Sequence, residues 1–353
     1  MTSSRISRHL PIINIASYLR TSQNPEDIAA RQATSEALHS ACLQFGFFYL
    51  DISEYIDPGI PEELATLAHQ FFALPQEEKD KLSISNQDNA RGYARLKENV
   101  TNGKADNHEG LDFYRPVQDP DPRRPLWGEN QWPDLAGFKE KYEAWVQKMK
   151  DLGLIVSRRW MAIGLGMTPD EWQELRSQVD DSFWVMRAIG YPPLPDDHDG
   201  FSCGAHKDYG CLTFLYADPI PSALQVFLRQ TGSIAAADAT GLPVERGAEE
   251  GVWINADPIP GCVVCNIGEM WEVWTNGLYK STLHRVIHRS SSYRVSVPFF
   301  FEPNFDSVVK PLAAAKRIQG AAGSVVPEKK PVVYGEFLLA KVGGNFAGGK
   351  YDD

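Results

Sequence analysis

The sequence predicts an α+β protein with a jelly-roll core, flanked by helices from its N-terminal half and by a C-terminal helix. Three observations carry that prediction. Apolar residues recur at helical spacing before Ser182, eight short β-prone segments follow it, and helical residues return after Pro327. The chain then divides into a mainly helical region with one opening strand (1–180), the barrel (181–305), and a helical extension and tail (306–353).

Leu10 to Ile15 is a short apolar run broken by Pro11, read as the opening strand. A helix should begin at Asn24-Pro25-Glu26, with proline in its first turn, and stop before Gly46. Phe47-Phe48-Tyr49-Leu50 returns to strand chemistry. Leu64, Leu67, Ala68, Phe71 and Phe72 then fall at i, i+3, i+4, i+7 and i+8, which makes one buried helical face. From Asn86 to Pro133 the chain is rich in Pro, Gly, Asn and Asp and reads as a long connection with short elements, of the kind that carries binding residues. A second helical run extends from Asp134 to Leu165, and Thr168-Pro169-Asp170 opens another short helix. The eight strands are expected at Phe183–Ile189, Cys203–His206, Leu212–Tyr216, Leu224–Leu228, Val252–Asn255, Cys262–Ile267, Tyr279–His288 and Arg294–Phe301. The Ala/Gly-rich stretch between Arg229 and Gly251 reads as an extended hairpin loop. A last helix around Tyr334 to Val342 is expected to lie across the barrel mouth.

A net charge of -11 with no long Lys/Arg block argues against nucleic-acid and anionic-lipid partners. No stretch is apolar enough for a signal-peptide core or a bilayer span, and five scattered cysteines suit a reducing compartment, so a cytoplasmic protein is expected. Cys262-Val-Val-Cys265 has redox or zinc spacing, but on a strand positions i and i+3 face opposite sides, so the two thiols should not share a metal.

His206 and Asp208, in Gly204-Ala-His206-Lys-Asp208-Tyr209, and His284, in Ser281-Thr-Leu-His284-Arg285-Val286, are the candidate metal ligands. On a strand His206 and Asp208 project to one face. Two imidazoles and one carboxylate can hold an octahedral iron(II) by three adjacent positions and leave the others open for dioxygen and a co-substrate. His288 would share a face with His284, so this pattern leaves it available. A core histidine bonded to a backbone carbonyl is the alternative for either residue.

The flanking residues extend the pattern. His206-x-Asp208, Leu212-Thr213, Leu224-Gln225-Val226, Pro260-Gly261, Asn266-Ile267-Gly268-Glu269, Trp274-Thr275-Asn276-Gly277, Ser281-Thr282-x-His284-Arg285-Val286 and Arg294-x-Ser296 occur in that order. This order resembles the iron(II)/2-oxoglutarate-dependent dioxygenases of the isopenicillin N synthase-like group. Leu10 to Ile15, Gly46-Phe47-Phe48, Phe71-Phe72-x-Leu74-Pro75 and Arg91-Gly92-Tyr93 are similar to that group's N-terminal region, so the likeness covers nearly the whole chain. It implies a double-stranded β-helix with His206, Asp208 and His284 on iron. Arg294 and Ser296 share a strand face and can grip one carboxylate, although an Arg paired with a structural Asp or Glu is the plainer alternative. By the resemblance they hold the distal carboxylate of 2-oxoglutarate. Tyr191 is similar in placement to a tyrosine that contacts the co-substrate; a core tyrosine is its alternative.

Arg187, a charge among the apolar residues of Trp184 to Ile189, should face solvent or meet an anion in the cavity, which suggests a carboxylate-bearing substrate. Tyr93, Phe301 and Phe346 are candidate pocket walls, with ordinary packing as the alternative. The implied activity is oxidation of a C–H bond of a small molecule by hydroxylation, desaturation or ring formation, with a setting in secondary metabolism. An isopenicillin N synthase-type oxidase that uses no 2-oxoglutarate shares the same Arg-x-Ser. An ethylene-forming variant that fragments 2-oxoglutarate and a non-catalytic jelly-roll binding protein are further alternatives. Monomer or weak homodimer stays open.

Overall fold

Local chemistry sets the ends of the elements that build the barrel. In this computed structural model, residues 9–117, 119–121, 126, 128–157, 162–195, 200–229, 251–323 and 326–342 are described. The first half gives β1 (Ile12–Asn14), α1 (Ala16–Leu19), α2 (Pro25–Gln44), β2 (Phe47–Asp51), α3 (Gly59–Phe72), α4 (Gln76–Asp80), β3 (Gly92–Ala94), β4 (Val100–Thr101), β5 (Lys104–Ala105) and β6 (Glu109–Tyr114). Three helices follow: α5 (Phe138–Val156), α6 (Ala162–Gly164) and α7 (Pro169–Arg176). The barrel strands are β7 (Val185–Tyr191), β8 (Cys203–His206), β9 (Leu212–Ala217), β10 (Leu224–Arg229), β11 (Gly251–Asn255), β12 (Cys262–Ile267), β13 (His284–Val286) and β14 (Arg294–Phe301), with α8 (Glu269–Trp274) between β12 and β13. The chain continues through β15 (Val308–Val309), α9 (Ala313–Ala321), β16 (Val332–Val333) and α10 (Tyr334–Val342).

The core is a sandwich of an eight-stranded sheet, ordered β1-β2-β12-β9-β14-β7-β6-β3, and a four-stranded sheet, ordered β11-β10-β13-β8. That is the double-stranded β-helix arrangement, mixed with helices. One face of the large sheet packs on helices through Leu64, Ala68, Phe71, Trp145, Met149, Val295, Val297 and Phe299; the other meets the small sheet through Tyr49, Ile189, Tyr191, Leu224, Val226, Val264 and Val286. Cys265 lies in the first cluster and Cys262 packs on the second, so this thiol pair is split across the sheet as strand periodicity requires.

α2 begins as its sequence dictates: the Asn24 side chain accepts from Asp27 N–H at 2.7 Å and Pro25 occupies the first turn. It ends at Gly46, whose φ of +65° is the left-handed region that closes a helix. A Cβ at Gly46 would stand 2.4 Å from the Lys280 carbonyl oxygen and 2.7 Å from Thr282 Oγ1, in the segment leading to His284. Gly46→Ala should therefore lower stability by roughly 2 to 4 kcal/mol, from left-handed strain and overpacking together. Thermal melting would check it: a variant melting with wild type would mean that this turn relaxes freely.

Several boundaries differ from expectation. The region read as a long connection contains β6, a full strand between β3 and β7. Its polar residues obscured it: Asp112 pairs with Arg187, while Glu109 receives Lys79 Nζ at 2.7 Å and the Tyr293 hydroxyl at 2.8 Å. The N-terminal half thus supplies β3 and β6 to the large sheet in addition to the expected strands β1 and β2. The strand expected over Tyr279–His288 contracts to β13, and β7 runs on to include Tyr191. β10 and β11 pair antiparallel from Gln225↔Asn255 to Arg229↔Gly251, and the loop expected between them lies outside the described residues. α10 packs where Lys341 reaches Glu269 at 2.9 Å and lies 5.1 Å from the Tyr209 ring centroid, against the segment that carries Asp208. Among the described residues no helix is long and apolar enough to cross a membrane.

Candidate metal centre

β8 and β13 are neighbours in the small sheet, and their register sets His206 directly opposite His284. Antiparallel pairing therefore brings together two imidazoles far apart in the chain, with ring centroids 4.2 Å apart. Asp208 lies just beyond the end of β8, its Oδ1 3.7 Å from His206 Nε2 and 3.6 Å from His284 Nε2. Each ring is oriented from behind: His206 Nδ1 lies 2.8 Å from the Gly204 carbonyl and His284 Nδ1 3.2 Å from that of Thr282. With Nδ1 directed there, each ring turns its Nε2 toward the carboxylate. Two donors on adjacent octahedral positions, each about 2.1 Å from an ion, would sit about 3 Å apart, so the spacing needs only a slight contraction around a cation.

Asp208 is held as firmly as the rings. Its Oδ2 accepts from Asn266 Nδ2 at 2.5 Å and from the Thr213 hydroxyl. Burial would raise its carboxyl, but His284, His206 and these two hydrogen bonds hold it below the usual carboxylate range. The metal-facing oxygen stays anionic. Burial, reinforced by His206, pushes the His284 imidazole down to about 4, so its ring is neutral and able to coordinate near neutral pH. His288 is directed elsewhere, with its Nε2 2.7 Å from the Ser292 carbonyl.

Arg294 opens β14 opposite Tyr191, and Ser296 stands opposite Ile189. The Arg294 guanidinium is 2% exposed, lies 5.0 Å over the Tyr191 ring, and leaves Nε and Nη1 without hydrogen-bond partners. Tyr191 shares a hydrogen bond with Ser296. Burying a cation with open donors is costly unless an anion arrives. A carboxylate arriving at Arg294 would meet that demand.

Comparison with known proteins agrees. Residues 180–303 match the 2OG-Fe(II) oxygenase superfamily, and residues 10–135 match the family described as non-haem dioxygenase in morphine synthesis N-terminal. The homoarginine-6-hydroxylase 2-ODD-C23.1 of Arabidopsis thaliana is 38% identical over 352 residues, covering 96% of this chain and 98% of that protein. A homoarginine-6-hydroxylase of Glycine max is 39% identical, with 96% and 97% covered. The chain belongs to the 2OG-Fe(II) oxygenase superfamily. A full-length Neurospora crassa protein solved in complex with alpha-KG shares the fold, with a TM-score of 0.74 at 24% identity, over 94% of this chain and 95% of that one. The protein is thus a 2-oxoglutarate- and iron(II)-dependent oxygenase, and the triad's donor set suits that metal.

The remaining candidates of this oxygenase fall in different places. Arg187 lies on the inner sheet face, in phase with Ile189 and Tyr191, but its Nε donates to Asp112 Oδ1 at 2.7 Å and its Nη2 to Asn99 Oδ1 at 3.1 Å. The anion it meets in the structure is a protein carboxylate. Phe301 is a correction: it is out of phase with Arg294 and Ser296, and its ring sits where a Cβ on Gly153 of α5 would be 2.4 Å away. It is helix-facing core. Phe300, in phase with that pair and opposite Thr213, is the aromatic on the inner face. Tyr93 is likewise core, giving its hydroxyl to Glu109 at 2.5 Å and its ring to Phe71 at 5.8 Å. Phe346 lies outside the described residues. Thr213 and Asn266, which hold Asp208, had no role assigned from sequence; the available signal was a polar residue on the inner face of an apolar strand.

Proposed function

We propose that this oxygenase hydroxylates a C–H bond of a small carboxylate-bearing amino acid with a guanidino side chain, of the homoarginine type. Near full-length likeness to homoarginine-6-hydroxylases carries the substrate class. Membership of the 2OG-Fe(II) oxygenase superfamily supports 2-oxoglutarate over an oxidase that does without it, and the unpaired, buried donors of Arg294 offer a seat for its carboxylate. In this reading His206, Asp208 and His284 hold iron(II), while Arg294, Ser296 and Tyr191 hold the distal carboxylate of 2-oxoglutarate.

Iron and 2-oxoglutarate together supply the oxidising power: one dioxygen atom goes to the substrate, and the other to the succinate left when carbon dioxide departs. The chain's share is placement. Gly204 and Thr282 fix the imidazole planes, and Thr213 and Asn266 fix the carboxylate. Asp112 and Asn99 immobilise Arg187 but engage only two of its five N–H groups, leaving donors for a substrate carboxylate.

Incubation with iron(II), 2-oxoglutarate, oxygen and homoarginine should give a product heavier by one oxygen atom and one succinate per product. Arg187→Met should raise KM for that substrate about tenfold to a hundredfold, with much less effect on KM for 2-oxoglutarate. Substrate oxidation that proceeds without 2-oxoglutarate would indicate the oxidase reading. Succinate release that homoarginine does not stimulate, but another metabolite does, would replace the substrate class.

A further inference from the structure

A second group of metal-ligand side chains lies behind the triad. The β4/β5 hairpin and its exit into β6 cross over β8, where Asn102 Nδ2 donates to the Ala205 carbonyl at 2.9 Å and Asn107 N–H to that of Phe201 at 3.2 Å. The crossing brings a carboxylate oxygen of Asp106, a ring nitrogen of His108 and the Cys203 thiol within 4.8 Å of one another. Asp106 and His108 are buried and Cys203 is half-buried.

His108 is the informative member. Its ring is 1% exposed, and Nδ1 lies 2.8 Å from the Ser202 carbonyl, which fixes the proton on that nitrogen. Nε2 is then a bare lone pair, fully buried and without a hydrogen-bond partner. An unmet buried acceptor is costly. Burial, with Arg187 nearby, pushes this imidazole down to about 3, so protonation does not relieve the deficit near neutral pH.

Asp106 is already positioned as a metal-binding carboxylate would be. Its Oδ1 accepts from Gly204 N–H at 2.8 Å and its Oδ2 from the Thr101 hydroxyl at 2.7 Å, leaving a lone pair on each oxygen. Cys203 Sγ lies 3.7 Å from His206 Nδ1, on the side of that ring away from the triad. Imidazole, thiolate and carboxylate together suit a borderline-soft divalent ion such as zinc better than magnesium or calcium.

We propose that Asp106, His108 and Cys203 form a second divalent-cation site, separate from the triad, that takes zinc or a like ion. With Nε2 of His108 as its ligand atom, because Nδ1 is bonded to Ser202, binding would satisfy that nitrogen, release the Cys203 proton, and pin the β4/β5 hairpin to the strand that carries His206. Three protein ligands leave a fourth position for water. The inference does not depend on the identity of the organic substrate.

Cobalt(II) titration of the metal-free full chain tests it, because cobalt bound to thiolate has a charge-transfer band in the near ultraviolet. Wild type should take up two equivalents, one of them with that band. Cys203→Ser should lose the band and one equivalent while keeping the triad's equivalent, which also shows that the variant is folded. His108→Ala should weaken the banded equivalent at least tenfold. His206→Ala with Asp208→Ala should keep the band and lose the other equivalent. A single equivalent in wild type, a band undiminished in Cys203→Ser, or a band lost together with the triad would each overturn the second site.

Discussion

Asp208→Ala should abolish measurable iron(II) binding at the triad, while the barrel stays folded. Asp208 is the only carboxylate of the triad, and two imidazoles remain without it. Loss of an outer-shell partner alone typically costs 10- to 100-fold in metal affinity, so removal of the charged ligand should exceed about a thousandfold, or about 4 kcal/mol. The variant also strands the Thr213 hydroxyl and the Asn266 amide, both of which donate to Oδ2. Thr213→Val, which keeps the ligand and removes one support, should lose about tenfold. Calorimetric titration with a divalent surrogate under anaerobic conditions separates the two magnitudes. Full iron binding by Asp208→Ala would place the metal elsewhere.

Arg294→Met should weaken 2-oxoglutarate binding by about a hundredfold to a thousandfold without lowering the melting temperature of the ligand-free chain. The two halves of this result have one cause. In the ligand-free chain Arg294 is a buried cation with unpaired Nε and Nη1, and burial pulls its guanidinium below the ordinary arginine value despite Tyr191 and Asp218. An apolar side chain of similar length removes that cost. With the co-substrate present, the same guanidinium forms a buried charge pair, and truncating one partner of such a pair costs about 2 to 5 kcal/mol. Wild type should therefore gain about 2.7 kcal/mol of apparent stability at a hundred times its dissociation constant for 2-oxoglutarate, and Arg294→Met essentially none at that concentration. Arg294→Lys keeps the charge but not the fork and should fall between. Unchanged affinity in Arg294→Met would mean that the distal carboxylate is held by other residues.

Much of the barrel was legible because its signals are local. The ends of β8, β12, β14 and α10 follow from β-prone runs, turn residues and helical spacing within each segment. The opposite facing of Cys262 and Cys265 follows from strand period alone. The same rule would have rejected Phe301 in favour of Phe300, since positions 294, 296 and 300 share a face and 301 does not. β6 was hidden for the opposite reason: Glu109 and Asp112 look like loop residues until Lys79, Tyr293 and Arg187 meet them across the fold.

The sequence by itself determined which side chains could act as ligands: His206 and Asp208 by their spacing, His284 by its surroundings, and Arg294 with Ser296 by their shared face. Tertiary structure alone decided which of them meet and what else they touch. Sheet pairing set His284 rather than His288 opposite His206, Asp112 met the charge of Arg187, and the hairpin crossing carried His108 to Cys203. The physical reason is range: backbone periodicity fixes the direction of a side chain over a few residues, whereas a partner distant along the chain is fixed only when strands choose their neighbours and register.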